Sequence, residues 1–161
     1  MAELTHSDST GKAQMVDVSS KAVTARYARA SGSIRMKPET LEAIRRNSLA
    51  KGDVLSVARV AGILAAKKTA ELIPLCHTVP LSDIQVVLSL DEKLPGIICE
   101  VTARTNAPTG VEMEAISAVA VSLVTVYDMA KAIDRDMIIG DIRLQEKSGG
   151  TTGSWERAVE A

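Results

Sequence analysis

Residues 84–105 read IQVVLSLDEKLPGIICEVTART, and this stretch decides the fold. β-Branched and other apolar residues dominate two runs within it, 84–90 and 97–105. Such runs are typical of strands that pack against a hydrophobic core. The DEKLPG between them is a turn signal, so the stretch predicts an antiparallel hairpin.

The chain before the hairpin predicts one strand and two helices. Residues 16–36 mix β-branched residues with arginines, which predicts a strand with a turn at Ser31-Gly32 near its end. Pro38 begins a predicted short helix that reaches about residue 46. After the break at residues 51–53, the apolar spacing predicts a second helix that runs to about residue 71.

The chain after the hairpin predicts a loop at 105–110, an Ala-rich helix over 111–133 and a last strand at 142–146. This order predicts an α+β fold in a ferredoxin-like topology, with a mostly antiparallel sheet and helices packed on one face. Residues 1–161 are expected to form a single domain. The polar ends, about 1–14 and 148–161, are expected to be mobile tails.

The bulk composition argues against several functional classes. The chain of 161 residues has a net charge of −1, and its aromatic residues are one Trp and two Tyr. It therefore lacks the basic field and the stacking platforms with which proteins bind nucleic acid. The uncharged run 115–127 is shorter than the ~20 residues that span a bilayer, and the polar N-terminus is unlike a signal peptide. With two cysteines and no disulfide framework, we expect a cytoplasmic protein without nucleic-acid or membrane partners.

Asp128 is a candidate functional carboxylate near the end of the long helix. It follows the uncharged run 115–127 and precedes Lys131 at spacing i, i+3, so both side chains lie on one helix face. A surface ion pair worth ~0.5 kcal/mol would explain this spacing. A carboxylate in a segment otherwise suited to burial also fits a functional group that has a partner.

Glu112 and Glu114 open the same helix, where acids favour the helix dipole, so a purely structural explanation also exists. Glu114 and Asp128 are 14 positions apart, which corresponds to about 21 Å along a helix axis. Both can serve one site only if the ligand is long or a second subunit supplies part of the pocket. The apolar residues between them are suited to face such a subunit.

The stretch LIPLCHTVP, residues 72–80, places Cys76 beside His77. Neither CxxC nor HxxxH occurs, so the sequence predicts no zinc site. Because consecutive residues of an extended segment point to opposite sides, we expect Cys76 to pack inward and His77 to be accessible, which argues against a Cys-His nucleophilic pair. His77 is then either a solvated loop residue or a group that binds an anion or shuttles a proton.

The remaining candidates are cations. Lys51 precedes the second helix, whereas Lys67 and Lys68 lie at its C-terminal end, where the helix dipole favours them. Lys147 is followed by Ser-Gly-Gly, whose backbone amides are suited to cradle a phosphate. No phosphate-binding motif of the GxxxxGK[ST] or GxGxxG type occurs.

The order of these pieces resembles the cyclic pyranopterin monophosphate synthase family of molybdenum cofactor biosynthesis. The resemblance covers about residues 4–150, nearly the whole chain. The motifs that carry it are MVDVS (15–19), KGD (51–53), LIPLCH (72–77), TGVEMEA (109–115), YDM and KA (127–132) and KSGG (147–150).

This resemblance implies a ferredoxin-like subunit in a homohexamer, a trimer of dimers, with active sites at the dimer interface. It implies a lyase whose substrate is 3′,8-cyclo-7,8-dihydroguanosine 5′-triphosphate. The products would be cyclic pyranopterin monophosphate and pyrophosphate. It implies no required cofactor and leaves open a Mg²⁺ that accompanies the triphosphate.

Position by position, the resemblance makes Asp128 the catalytic acid/base and Lys51 and Lys131 lysines of the catalytic pocket. It assigns no metal ligand. Ala107-Pro108 is a departure, because some relatives carry Gly-Lys there. Together with the candidates above, the residues expected to bind substrate are Leu75, Cys76, Met113, Glu114, Glu112, Lys147 and, on the phosphate side, Arg26 and His77.

Two other functions stay open on the residues alone. A ferredoxin-like module that binds a nucleotide and regulates a partner needs an anion pocket but no acid/base pair. A metal-dependent hydrolase would use Glu112, Glu114 and His77.

Overall fold

The computed structural model describes residues 12–151 and 153–158 of the chain. Its elements in chain order are β1 (Thr24–Arg35), α1 (Pro38–Arg45), α2 (Val54–Lys67), α3 (Thr69–Leu72), β2 (Leu81–Asp91), β3 (Gly96–Ala107), α4 (Glu112–Ala130), β4 (Ile138–Ser148) and β5 (Trp155–Glu156).

The strands form one antiparallel sheet with the order β2-β3-β1-β4-β5. Leaving the short β5 aside, the chain enters helices after β1 and after β3, and β1 and β3 lie side by side in the centre. This is the ferredoxin-like arrangement. The predicted α+β class and topology are therefore confirmed.

The hairpin predicted from residues 84–105 is the β2–β3 pair. The two strands pair antiparallel over nearly their whole length. Asp91 closes the turn, because its Oδ1 accepts hydrogen bonds from the backbone N–H groups of Lys93 (2.8 Å) and Leu94 (3.0 Å).

The helix α4 is the centre of the hydrophobic core. It packs against α2 and, on the sheet, against β1, β3 and β4. Buried and more exposed residues alternate along β3, so one face of the sheet carries the core. Large side chains that are fully buried include Ile34, Ile97, Val101, Val119, Leu123 and Val126.

Most apolar residues of α4 therefore do not face a partner subunit, and that expectation is corrected. Within α4 the large apolar side chain that stays well exposed is Val124. By length and composition α4 could also cross a membrane, and half of its most apolar window is buried inside the fold. Core helices meet the same criterion, so this is weak evidence for a membrane span.

Two local predictions are wrong. Ser31-Gly32 is no turn but lies inside β1, where Gly32 fits closely under α4: a Cβ there would lie 2.8 Å from Val119 Cγ1. The second helix ends at Lys67, and α3 follows it as a separate turn.

The predicted tails have different outcomes. β4 reaches Ser148, and β5 pairs with its residues Glu146 and Lys147, so part of the predicted C-terminal tail forms a strand. The predicted N-terminal tail, about 1–14, lies mostly outside the described residues.

Candidate active site

Both ends of α4 carry candidate functional side chains. Glu112 and Glu114 lie in its first turn, and Asp128 lies near its C-terminal end. Because the three belong to one helix, the separation of about 21 Å between Glu114 and Asp128 applies along its axis. The candidates therefore form two groups, one at each end of α4.

At the C-terminal end, Asp128 accepts hydrogen bonds from two lysines. Lys131 Nζ lies 2.7 Å from Asp128 Oδ1, so the i, i+3 pair predicted from the sequence forms. Lys51, from the loop before α2, places its Nζ 2.8 Å from Asp128 Oδ2 and 2.8 Å from the Asp128 backbone oxygen. We call these three residues, each about half exposed, the lysine–aspartate cluster.

The two ammonium groups hold the pKa of Asp128 at about 2, the hydrogen bond from Lys131 contributing most and that from Lys51 next. Asp128 is therefore ionised at neutral pH and is a weak proton acceptor in this arrangement. The cluster lines an open cavity of ≈ 510 Å³ together with Tyr127, Ala132 and Arg135. It presents ammonium donors to that cavity.

At the N-terminal end of α4, Glu114 is buried. It is 3% exposed, and its Oε2 has no hydrogen-bond partner among the described residues. Its Oε1 lies 3.7 Å from Cys76 Sγ, within reach of the S–H donor. Burial of the Glu114 carboxyl raises its pKa. The pKa of Cys76 is raised to about 11 by burial of the thiol and by the nearby charge of Glu114. Cys76 is thus a thiol at neutral pH and no activated nucleophile.

A cavity of ≈ 400 Å³ lies beside this end of the helix. It is where the two motifs LIPLCH and TGVEMEA meet. Its lining includes Leu75, Cys76, His77, Glu112 and Met113, so five of the residues expected to bind substrate share one cavity.

The His77 side chain makes a hydrogen bond within the chain, whereas the sequence predicted only that it is accessible. Its Nε2 lies 2.7 Å from the backbone oxygen of Val16, and because a carbonyl only accepts, Nε2 carries the hydrogen. The bond fastens the segment before β1 to the cavity wall. An anion would have to replace Val16 at Nε2, because Nδ1 of this tautomer is an acceptor.

A further cavity, of ≈ 610 Å³, adjoins the first, and both are lined by Thr109, Gly110 and Glu112. Its cationic side chains are Lys21, Arg26 and Lys147. Lys147 Nζ lies 3.5 Å from Glu112 Oε1, so a carboxylate already faces one of these cations. We call this space the cationic cavity.

Backbone carbonyls hold Arg26 in place. Its Nε donates to the oxygen of Ala107 (3.2 Å) and its Nη2 to that of Pro108 (3.1 Å). Arg26 bonds only to backbone oxygens of Ala107 and Pro108. The difference from some relatives in the side chains at these two positions therefore leaves both hydrogen bonds intact. Gly150, at φ +72°, lies against the guanidinium, where a Cβ would collide with Nη1. The glycines after Lys147 thus make room for Arg26.

Sequence reasoning missed several residues that line these cavities. Lys21 and Thr109 line the cationic cavity, and Tyr127 and Arg135 line the space beside the lysine–aspartate cluster. Each stands in a recognised motif or only a few positions beyond one, which is the signal that could have found them.

The structure brings the expected residues together in two places rather than one. Those near the N-terminus of α4 share the two adjoining cavities, and the lysine–aspartate cluster lies at the far end. Cys76 and His77 form no dyad, because one faces Glu114 and the other Val16. In residues 12–151 and 153–158, no three His, Cys, Asp or Glu side chains converge into a metal-ligand set.

The comparison with known proteins agrees with the order of the motifs. The model of the MoaC family matches residues 15–150. The chain belongs to the MoaC family.

Three curated MoaC relatives are each named cyclic pyranopterin monophosphate synthase. One, from Methylobacterium sp. (strain 4-46), is 59% identical over 155 residues, 96% of this chain and 97% of its own. Two others, from Brucella ovis and Brucella melitensis biotype 2, are 56% identical over 153 residues, 95% of this chain and 93% of their own. The chain is thus an enzyme of molybdenum cofactor biosynthesis.

Proposed function

We propose that this MoaC family member converts 3′,8-cyclo-7,8-dihydroguanosine 5′-triphosphate to cyclic pyranopterin monophosphate and pyrophosphate by general acid/base catalysis. The observation that carries the proposal is the lysine–aspartate cluster, in which one carboxylate binds two ammonium groups beside an open cavity. The names of the relatives supply the product.

The triphosphate fits the cationic cavity by charge. Lys21, Arg26 and Lys147 face this space, and a polyanion would draw Lys147 away from Glu112. Mg²⁺ would travel with the phosphate oxygens, which are its preferred ligands, and no resident cofactor is required. Leu75, Cys76 and Met113 would then line the place of the purine-derived ring, and His77, in the same cavity, would bind a phosphate oxygen.

The reaction moves protons while that ring opens and closes again. Lys51 and Lys131 are the proton donors of the cluster, with Asp128 ionised between them. When an anionic intermediate draws one lysine away, the pKa of Asp128 rises toward its ordinary value of 3.8, and the carboxylate becomes a better proton acceptor. The cluster would thus give and take protons in successive steps.

Closure of the cyclic phosphate is a substitution at the α-phosphorus. A substrate hydroxyl oxygen forms the new P–O bond, the bond to pyrophosphate breaks, and the proton of the hydroxyl passes to a base of the site. Lys21, Arg26 and Lys147 would stabilise the charge that grows on the leaving pyrophosphate.

We place the active site between two subunits of a homohexamer. The cluster and the adjoining cavities stand about 21 Å apart along α4, too far to act on one bond within one subunit. A two-fold related copy would bring the cluster of one subunit to the cavities of the other. The exposed residues Val57, Val60 and Leu64 share one face of α2 at helical spacing, a surface suited to subunit contact.

A cytoplasmic location fits the cysteines. Cys76 and Cys99 are both free, as is usual in a reducing compartment.

The test is turnover of the cyclised nucleotide, with released pyrophosphate read as phosphate after added pyrophosphatase. Asp128→Asn and Lys51→Ala are expected to lower kcat at least ~100-fold, the usual scale for a general acid or base, with wild-type circular dichroism and elution volume. Lys93→Ala, in the β2–β3 turn, is the control and should turn over normally.

Full turnover by either cluster variant would contradict these roles. Wild-type protein that binds the nucleotide but releases no pyrophosphate would favour a regulatory nucleotide-binding module. Activity lost in chelator and restored by a transition metal, but not by Mg²⁺, would favour the metal-dependent hydrolase.

A further inference from the structure

Asp134 is a buried carboxylate that the reaction described above does not use. It lies between α4 and β4, and its side chain has no exposed surface. Oδ2 accepts hydrogen bonds from the backbone N–H of Lys37 (2.9 Å) and the hydroxyl of Thr40 (3.2 Å), and Oδ1 accepts one from the backbone N–H of Asp136 (3.1 Å). Lys37 Nζ adds an ammonium 3.8 Å from Oδ1.

These bonds tie two distant parts of the chain together. Lys37 is the N-cap position of α1 but makes no side-chain capping bond of its own. Asp134, 97 positions further along the chain, accepts the backbone N–H of Lys37 itself and the hydroxyl of Thr40. Burial alone would raise the pKa of Asp134, but the hydrogen bonds from Lys37, Asp136 and Thr40 outweigh it and leave the pKa below its ordinary value. The carboxylate stays charged, so the tie is strong.

The segment after α4, residues 131–136, also forms one wall of the cavity beside the lysine–aspartate cluster. Lys131 caps α4, and the backbone N–H of Asp134 still bonds to the oxygen of Ala130. Arg135, next to Asp134, lines that cavity, and its backbone oxygen accepts the hydroxyl of Tyr127 (3.2 Å). Lys131 thus lies between the end of α4 and a segment whose buried anchor is Asp134.

We propose that Asp134 is a positioning residue for the reaction: it fixes the segment after α4 to the start of α1 and so holds Lys131 against Asp128. This inference rests on the proposed function, because it assigns Asp134 a role through Lys131. Asp134 touches neither the cavity nor the cluster itself, so its removal should lower the rate of the chemical steps and leave substrate affinity nearly unchanged.

The first measurement is steady-state kinetics of Asp134→Ala and Asp134→Asn, below the unfolding temperature of each. We expect kcat to fall about 10-fold or more in Asp134→Ala with KM within about 2-fold, because misplacement by 1 Å alone costs rate on this scale. Asp134→Asn keeps one acceptor oxygen and should recover part of kcat. If Asp134→Ala does not fold, the Asn variant alone carries the test.

The control is Ile44→Ala, a cavity in the same helix α1 that leaves the tie to Asp134 untouched. It should lower thermal stability and keep wild-type kcat. The second measurement is a double-mutant cycle: in a Lys131→Met background, Asp134→Asn should cause no further loss of kcat.

Two results would overturn the inference while the proposed function stands. One is wild-type kcat in Asp134→Asn and Asp134→Ala. The other is a loss of kcat that Ile44→Ala reproduces or that adds fully to the effect of Lys131→Met. Wild-type protein without turnover would instead remove the proposed function itself.

Discussion

Asp128 and Glu114 are carboxyl groups of one helix in opposite environments. Two ammonium groups hold the pKa of Asp128 at about 2, whereas burial raises the pKa of Glu114. Carboxyls whose pKa values are pushed apart are typical of sites in which one stays ionised and the other takes up a proton more readily. The two ends of α4 are thus suited to different tasks.

The Cys76 thiol gives a direct test of the environment around Glu114. Burial and the Glu114 carboxyl raise the pKa of Cys76 to about 11, so the thiolate fraction at neutral pH is very small. We expect alkylation of Cys76 by iodoacetamide, followed by mass spectrometry, to be slow at pH 8 and to accelerate with pH up to ~10.5 without levelling off.

Glu114→Gln is the matched variant, because it keeps the shape and removes the charge. It should lower the thiol pKa and speed alkylation at pH 9. Cys99, which has no exposed surface, should stay unmodified while the protein is folded. A rate for wild-type Cys76 that levels off by pH 9 would show an ordinary thiol and contradict the contact with Glu114.

At the scale of elements, the pair α2–α4 carries the lysine–aspartate cluster. Lys51 stands just before α2, and Asp128 stands near the end of α4, so the lysine–aspartate cluster forms only when the two helices lie close together. Gly62 permits this approach. A Cβ at Gly62 would collide with Ser122 Oγ and lie 3.1 Å from the backbone oxygen of Ala118.

Gly62→Ala therefore tests the helix contact. Alanine favours the helix by about 1 kcal/mol, but overpacking usually costs about 1–3 kcal/mol, and the Ala118 carbonyl has little freedom to move. We expect the free energy of unfolding, measured in urea, to fall by about 1–2 kcal/mol, with loss of activity. Gly140→Ala is the control, because a Cβ there meets nothing within 4 Å. Equal stability of the two variants would contradict the close helix contact.

Local patterns predicted the elements well and their ends less well. The hairpin followed from β-branched runs around Pro95-Gly96, and the Asp128–Lys131 pair followed from helical spacing, because both signals can be read from nearby positions in the sequence. Gly32 was mistaken for a turn because only its contact with α4 explains it. Local glycine signals do not distinguish a turn from close packing.

At the scale of the whole molecule, the parts that escaped prediction are contacts between distant segments. The hydrogen bond between His77 and Val16 joins positions 61 residues apart, and the one between Lys37 and Asp134 joins positions 97 residues apart. No periodicity encodes such pairs, and the tertiary fold alone brings them together. The place of Lys51 beside Asp128 was expected only through the family resemblance, not from its own surroundings in the sequence.

The proposed division of the active site between the two ends of α4 leads to a prediction about assembly. If each active site combines the cluster of one subunit with the cationic cavity of another, two inactive variants can complement each other. Lys51→Ala disrupts the lysine–aspartate cluster of its own subunit. Arg26→Ala removes one cation from the cationic cavity of its own subunit. A mixed dimer then holds one intact site and one site that lacks both groups.

Co-expression of Lys51→Ala and Arg26→Ala with different tags should therefore restore about a quarter of wild-type activity, since random pairing makes half of the dimers mixed and each mixed dimer has one intact site. Co-expression of Lys51→Ala with Asp128→Asn is the control, because both changes lie in the cluster and no pairing rebuilds it. The mixed assemblies would be isolated through both tags. A shared site would be contradicted if they were no more active than either variant alone. The reaction would then have to occur within one subunit, across the 21 Å that separate Glu114 from Asp128 along α4.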